Sequence, residues 1–412
     1  MKTARAVFLT GLEQIGSFLD RWDHEQALIA LLNDRRTTLQ PHVIDRLQAV
    51  LETSTNAKQY VYAVAIVSLY GLIERLVDSL VSRYILSLAE FGSRYDQLPE
   101  AVTNKHFRKS WDLADAIERG TYYGNLTPSQ IIANLHSCFS GATSYTLNGE
   151  AFSFHRGNVS LARMQDMLTG IGVKPLWRRL SLTPAFLNFQ AQIDPERDIR
   201  SIADGDLEGL FAPIEDLVQR RNGISHGMLE VDQIEAVDLL RSRVEFVRAF
   251  GASLFELLDQ DRLKYAADVG VALRLGQPIA VYNHRIVCFE ADCGIAVGDQ
   301  ILALTGEERE PVRTGEVLTL QVNNVDQQAI DAGQRVQFGV GIDFRANESH
   351  NYFVLRRSRA CRHPTLFALN LLRSPTAVAE ASGAPLGRFM FHPRRNHTLS
   401  EFDDSPCRVF LR

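Results

Sequence analysis

Apolar residues recur with a helical period along roughly the first two-thirds of the chain and with a strand period beyond it. Phe8, Leu12, Ile15 and Leu19 follow one stripe and Val43, Leu47 and Leu51 another, with Pro41 placed to open the second as a first-turn proline. A longer helix is predicted over residues 58–90. Its first half is apolar on every face, which puts it at the centre of a bundle. Glu74 and Arg75 interrupt it, and a carboxylate so placed is either paired within the bundle or held close to a functional cluster. Helical patches follow at 111–117, 131–139, 160–169 and 185–192. Leu207, Leu210, Phe211, Ile214, Leu217 and Val218 predict one face of a further helix, with Asp206 as its candidate cap. From Val231 to about residue 263, Ile234, Val237, Leu240, Val244, Val247, Phe250, Leu254 and Leu258 predict a long terminal helix antiparallel to it.

At about residue 266 the period changes. Short or alternating apolar runs at 270–273, 279–282, 285–289, 300–304, 316–322, 335–342 and 351–355 are separated by Gly, Asp and Asn turns. The expected fold class is therefore multidomain α and β: an all-α helical bundle over 1–265, an antiparallel β-barrel over 266–357, and a β-rich extension over 358–412 with strands at 366–372, 387–392 and 407–411.

Composition narrows the function classes. At 412 residues the chain has room for about two or three domains, and 45% hydrophobic with 23% charged residues excludes a disordered or collagen-like chain. The longest uncharged apolar run, Val61 to Ile73, is too short for a bilayer span and is broken by Ser68 and Gly71. No small-residue cleavage site follows the first apolar stretch, so a soluble, cytoplasmic protein without membrane contact is expected. A net charge of −5 argues against indiscriminate coating of nucleic acid, although basic pairs such as Arg178-Arg179 and Arg220-Arg221 leave room for a locally positive site. Cys288-x4-Cys293 lacks a matching second pair and reads as two strand thiols rather than a zinc site, so neither metal nor cofactor is expected. Phosphate-loop, dinucleotide-glycine and serine-elbow patterns are absent from the sequence.

The densest chemistry lies at Arg220-Arg221-Asn222-Gly223-Ile224-Ser225-His226-Gly227. If the helix runs to a stop at Gly227, Asn222 and His226 are one turn apart on one face, and Arg221 is long enough to reach that face. A histidine at a helix C-terminus is more readily protonated. The same residues also read as a capped helix end whose polar groups satisfy the last carbonyls.

The Arg-Asn-x-x-x-His spacing resembles the signature of the HEPN superfamily, helical domains of which many are metal-independent ribonucleases. Val64 to Val77 with Glu74 resembles the early helix of that family, and His155-Arg156-Gly157-Asn158 followed by Leu161 to Gly172 resembles the glycine–asparagine turn and helix of its ribonuclease-L-like prokaryotic branch. Together the resemblance covers roughly residues 55–260. It implies a homodimer through the helical domain, with two motifs facing one cleft, and RNA as substrate. RNA carries its own nucleophile, so such an enzyme needs only to move protons and stabilise the phosphorane charge. The expected roles are acid and base for His226, phosphate grip for Arg221 and orientation for Asn222. Arg220, Arg156, His155 and Asn158 are candidate RNA-binding residues and Glu74 a supporting one. For Arg220 an ordinary exposed helix arginine is the alternative, and for His155 a structural histidine beside a turn.

The expected activity is a metal-independent endoribonuclease giving 2′,3′-cyclic phosphate and 5′-hydroxyl ends, of the bacterial toxin or antiphage-defence kind. In another branch a tyrosine two residues after the histidine is nucleotidylated, and here that place is Met228. Residues 267–357 resemble the translational β-barrel of elongation-factor second domains, and the barrel is expected to recognise RNA, a translation component or a viral trigger; because an unregulated ribonuclease would be toxic to its host, an inhibitor, a partner or an autoinhibited dimer is also expected. The competing expectation is a non-catalytic, dimerising or nucleotide-binding scaffold whose barrel binds a protein partner.

Overall fold

The computed structural model describes residues 1–356 apart from 36–38, 92–93, 123, 143, 229–232, 306–311 and 334, and apart from the side chains of 52–56. The strands expected at 366–372, 387–392 and 407–411 lie outside the described residues. The helices are α1 (Lys2–Asp34), α2 (Pro41–Ala89), α3 (Glu100–Glu118), α4 (Pro128–Phe139), α5 (Gly149–Ser153), α6 (Leu161–Gly170), α7 (Leu176–Ser181), α8 (Pro184–Ile193), α9 (Ala212–Ser225) and α10 (Val237–Asp268).

Helix α2 joins the second apolar stripe to the predicted 58–90 helix in one element of 49 residues, with Pro41 in its first turn. The polar run Thr53 to Asn56 contains neither glycine nor proline, so it interrupts the apolar pattern without ending the helix. Tyr62, Ile66, Leu69, Ile73 and Leu80 of α2 pack with Phe8 and Leu12 of α1 and with Phe250, Leu254 and Leu258 of α10. Its first half is not enclosed all round, because Tyr60, Val64 and Val67 are exposed by 75%, 45% and 42%. Close crossing of α10 on α1 and α2 depends on Gly251: a Cβ there would overlap the Phe8 ring and stand 2.8 Å from Leu76. Helix α10 starts at Val237, so Ile234 precedes it, and Val231, where the periodicity predicts the start, lies outside the described residues.

Two expectations at the motif helix are corrected. Residues Asp204–Phe211 form a 3-10 helix, and α9 begins only at Ala212 with Pro213 in its first turn. Proline lacks the N–H that would continue the preceding turn, so the element divides there. Asp206 therefore lies inside the 3-10 segment, and the residue before α9 is Phe211, which has no side-chain cap. Leu207, Leu210 and Phe211 are nonetheless buried with Ile214, Leu217 and Val218.

Among the described residues ten strands follow: β1 (Leu273–Gly276), β2 (Ala280–Tyr282), β3 (Ile286–Ala291), β4 (Ile295–Ala296), β5 (Gln300–Leu304), β6 (Arg313–Val322), β7 (Val325–Asp326), β8 (Ala329–Ile330), β9 (Val336–Ile342) and β10 (Asn351–Leu355). They pair antiparallel in the order β1-β10-β5-β6-β9-β3-β2, with β7 added to β6 and β4 paired with β8 apart. The order leaves β1 and β2 as edges, so the expected barrel is an open half-barrel. Asn323 and Asn324 (φ 51° and 63°) make the two-residue turn between β6 and β7, and Asn283 and His284 (φ 51° and 55°) lie in the three-residue connection of β2 to β3, both pairs in the left-handed conformation that matches strand twist. Leu263 and Ala266 of α10 pack against Ala272, Leu302 and Val312, so helices and sheet share a small core.

Candidate functional site

Helix α9 ends as its glycine predicts. Gly227 sits at φ +69°, its N–H bonds the Ile224 carbonyl at 3.1 Å, and the Met228 N–H bonds Gly223 at 2.9 Å, a Schellman stop. The His226 N–H bonds the Asn222 carbonyl at 3.0 Å, which sets His226 one turn beyond Asn222 on the same side. His226 is exposed, and among the described residues its imidazole has no hydrogen-bond partner.

Arg221 is four residues beyond Leu217 and three beyond Val218, so the buried face of α9 carries it toward α2. Its guanidinium lies over the Tyr70 ring, 5.1 Å from the centroid. The Tyr70 hydroxyl donates to Glu74 Oε1 at 2.9 Å and accepts the buried Val159 N–H at 2.9 Å. Burial first, and then the neighbouring Glu74 carboxylate, push the Tyr70 phenol up to about 12, so it stays a neutral donor. Asn158 donates its amide to Asn222 Oδ1 at 2.6 Å, and Arg221 Nη1 approaches the same oxygen at 3.3 Å. That oxygen faces two donors, which leaves the Asn222 NH2 group to point elsewhere as a donor.

The turn before α6 is thus pinned to two helices. Besides Asn158 and Val159, Glu215 of α9 accepts the Leu161 N–H at 3.3 Å, and Ser160 caps α6 by accepting from the Arg163 N–H at 3.2 Å. His155 is enclosed, its side chain 10% exposed: Nε2 stands 3.3 Å from Asp78 Oδ1 and Nδ1 donates to the Gly157 carbonyl at 2.8 Å. The bond to Asp78 raises the His155 pKa against the opposing effect of burial.

The predicted residues therefore divide. Arg221, Asn222, Asn158 and Glu74 meet in one cluster through Tyr70, with His226 exposed one turn along α9. His155 spends both ring nitrogens inside the chain, which matches the structural alternative held open for it. Arg156 is 68% exposed and reaches Asp115 at 3.6 Å. Arg220 faces away from the cluster's partners into an ionic network: it donates to Asp216 at 2.9 Å, to the Tyr62 hydroxyl at 2.7 Å and toward Glu235 at 3.2 Å, and Arg243 closes on the same two carboxylates. It is a half-buried strut and not the exposed helix arginine of the alternative reading. Cys138 is buried, and burial pushes its thiol up to about 11; Cys288 and Cys293 are free, with thiols raised by burial. Among the described residues no group of three or more His, Cys, Asp or Glu is placed to hold a metal ion.

Motif reading does not single out Tyr70, Asp78 or Glu215. A signal exists for two of them: Tyr70, Glu74 and Asp78 stand at intervals of four in the mainly apolar 61–81 stretch of α2, a polar line that implies one facing partner.

A helical bundle that brings an arginine, an asparagine and an exposed histidine to one helix end, with an asparagine turn locked against them, defines a HEPN-type domain. The RiboL-PSP-HEPN family model matches residues 33–260, more than half of the chain, and the protein belongs to that family, whose domain is of ribonuclease type. No curated protein matches the chain. Among the described residues no helix is long and apolar enough to cross a membrane.

Proposed function

We propose that the protein is a metal-independent endoribonuclease that cuts RNA by attack of the 2′-hydroxyl on the adjacent phosphorus. The O2′–P bond forms, the P–O5′ bond breaks, and the products are a 2′,3′-cyclic phosphate and a 5′-hydroxyl. His226, exposed and unpartnered among the described residues, takes the 2′ proton or supplies one to the leaving oxygen. Arg221 grips the non-bridging oxygens as charge develops, and Asn222 offers its NH2 to the phosphate or the imidazole. The observation that carries this reading is the lock between Asn158 and Asn222 at 2.6 Å, which fixes the motif's amide with its donor end free beside Arg221.

Pairing of two copies would bring two such histidines to one cleft, one as base and one as acid. Support for a homodimer comes from α2, where exposed Tyr60, Val64 and Val67 continue at alternating intervals of four and three to Gly71 and Glu74, so an uncovered apolar stripe leads into the site. A role as a bacterial toxin or antiphage-defence effector, released by a partner on the half-barrel, belongs to the same proposal.

The test is cleavage of total RNA by the purified protein in EDTA, beside Arg221→Ala and His226→Ala, with product ends mapped. Cyclic-phosphate ends that fall by about 100-fold or more in both variants are expected. Undiminished cleavage in either variant refutes the roles. No cleavage by the wild type, together with host growth inhibition indifferent to both substitutions, favours the scaffold reading. A strict monomer at micromolar concentration would remove the two-histidine cleft.

A further inference from the structure

A second cleft lies between α3 and α6, lined among others by Lys105, Lys109, Phe152, His155, Arg163 and Asp166. Helical spacing assembles it: Lys105 and Lys109 are one turn apart on α3, and Arg163 and Asp166 share a face of α6. His155 enters from the turn that also carries Asn158. Its two ring nitrogens lie against acceptors, Asp78 and the Gly157 carbonyl, an arrangement that favours the imidazolium.

The charges in this cleft are not balanced. Lys105, Lys109 and Arg163 line it with one carboxylate, Asp166, while the charge of His155 is met by Asp78. Among the described residues, the side chains of Lys105, Lys109 and Arg163 have no hydrogen bond and no ion pair. Elsewhere clustered cations are matched, as Arg220 and Arg243 are by Asp216 and Glu235, and Arg241 by Asp20 and Asp23. Lys109 is half-buried, and its pKa is lowered, chiefly by burial; Lys105 and Arg163 push the same way, while Asp112 and Asp166 oppose. The last residue of α6 is Gly170, where a Cβ would stand 3.1 Å from Lys105 Nζ, so the glycine lets the ammonium lie against the negative end of that helix. The cleft is partly open, with Lys105, Arg163 and Asp166 exposed, and its volume is about 70 Å³. A water needs roughly 10–15 Å³ of such space, so the cleft has room for a few waters or one tetrahedral oxyanion, and not for a nucleobase.

We propose that this cleft binds one phosphate group, gripped by Lys105, Lys109 and Arg163 and bounded by Phe152 and His155. The phosphate is either free or a link of an RNA strand; the 155–158 turn connects this cleft to Asn222, which suits a strand with phosphates at both places. Separate binding measurements on the full chain distinguish the two sources. Orthophosphate is titrated calorimetrically into wild type, the Lys105→Gln/Arg163→Gln double variant and Asp166→Asn. In parallel, a 2′-O-methyl oligoribonucleotide is followed by anisotropy across a salt series. That strand lacks the 2′-hydroxyl nucleophile, so the outcome does not depend on whether Arg221 and His226 cleave RNA.

Orthophosphate affinity is expected to fall about tenfold or more in the double variant and to rise in Asp166→Asn. If the source is RNA, the slope of log affinity against log salt drops by about 0.7 in the double variant, the amount for one phosphate on a single strand. An unchanged oligonucleotide slope with lost orthophosphate binding assigns the cleft to free phosphate. Wild-type affinity and slope for both ligands in the double variant overturn the proposal. Lys105→Arg/Arg163→Lys, which keeps both charges, separates loss of binding from loss of fold. If the double variant does not fold, Asp166→Asn decides, since failure to tighten either ligand also overturns the proposal.

Discussion

Tyr70→Phe removes a single oxygen from the point where α2, the 155–159 turn and α9 meet. That oxygen accepts the Val159 N–H at 2.9 Å, from a residue with no solvent exposure, and donates to Glu74. Loss of the acceptor leaves a buried N–H unsatisfied, which costs about 1–3 kcal/mol. For a domain of this size that corresponds to roughly 2–4 °C in melting temperature per kcal/mol. The phenylalanine ring keeps its place beneath the Arg221 guanidinium, whose attraction to an aromatic face is worth about 0.5–2 kcal/mol. Tyr70→Leu removes both terms. The two variants therefore separate stability from site geometry. By urea denaturation, both are expected to lose stability. By cleavage in EDTA below their melting temperatures, Tyr70→Phe retains most activity and Tyr70→Leu loses several-fold more. A Tyr70→Phe protein as stable as the wild type would refute the claim that this hydroxyl serves a buried donor. Equal cleavage by the two variants would refute the claim that the ring positions Arg221.

Three further outcomes follow from the packing. His106 is buried, accepts the Asn148 N–H at Nε2 (3.0 Å), and is held by burial down to about 4, so the unfolded chain takes up the proton first. The His106 contribution to stability is complete above about pH 6.5 and falls by ~3 kcal/mol as pH drops toward 4, a slope that His106→Gln, a non-titrating acceptor, removes in urea titrations at several pH values. His155 acts with the opposite sign: its raised pKa makes the Asp78 contact stabilising below about pH 6.5, and the contribution is lost as pH rises through the folded value. Asp78 is 37% exposed, so Asp78→Asn should cost less than ~1 kcal/mol at pH 6 and nothing once His155 is neutral, read as the pH-dependent difference from wild type. Gly251→Ala sets a methyl against Phe8 and Leu76 and should cost about 1–3 kcal/mol in thermal denaturation without altering the product ends of cleavage.

Local signals in the chain were enough for much of this molecule. Periodicity at 3.6 located Phe8, Leu12, Ile15 and Leu19 on the buried side of α1, and the glycine after His226 marked the end of α9, because a left-handed stop is set by one residue's freedom at φ. The boundary between 3-10 helix and α9 is a proline effect and was readable from Pro213, although the apolar face runs through it unbroken.

What the sequence by itself determined is which residues share a face: Asn222 below His226, Arg221 beside them, and Tyr70, Glu74 and Asp78 along one line of α2. Which partners those faces meet was decided only by tertiary structure. Asn158 finds Asn222 across 64 positions, Val159 finds Tyr70 across 89, and Arg220 finds Tyr62 across 158. Neighbouring arginines thus take different surroundings, Arg221 over an aromatic ring in the site and Arg220 in a carboxylate network, because successive helix positions point about 100° apart and each is claimed by whatever packs there. The helical period is local and written in composition, whereas hydrogen-bond pairing depends on the approach of distant segments, which the burial of the α2 core imposes on all of them together.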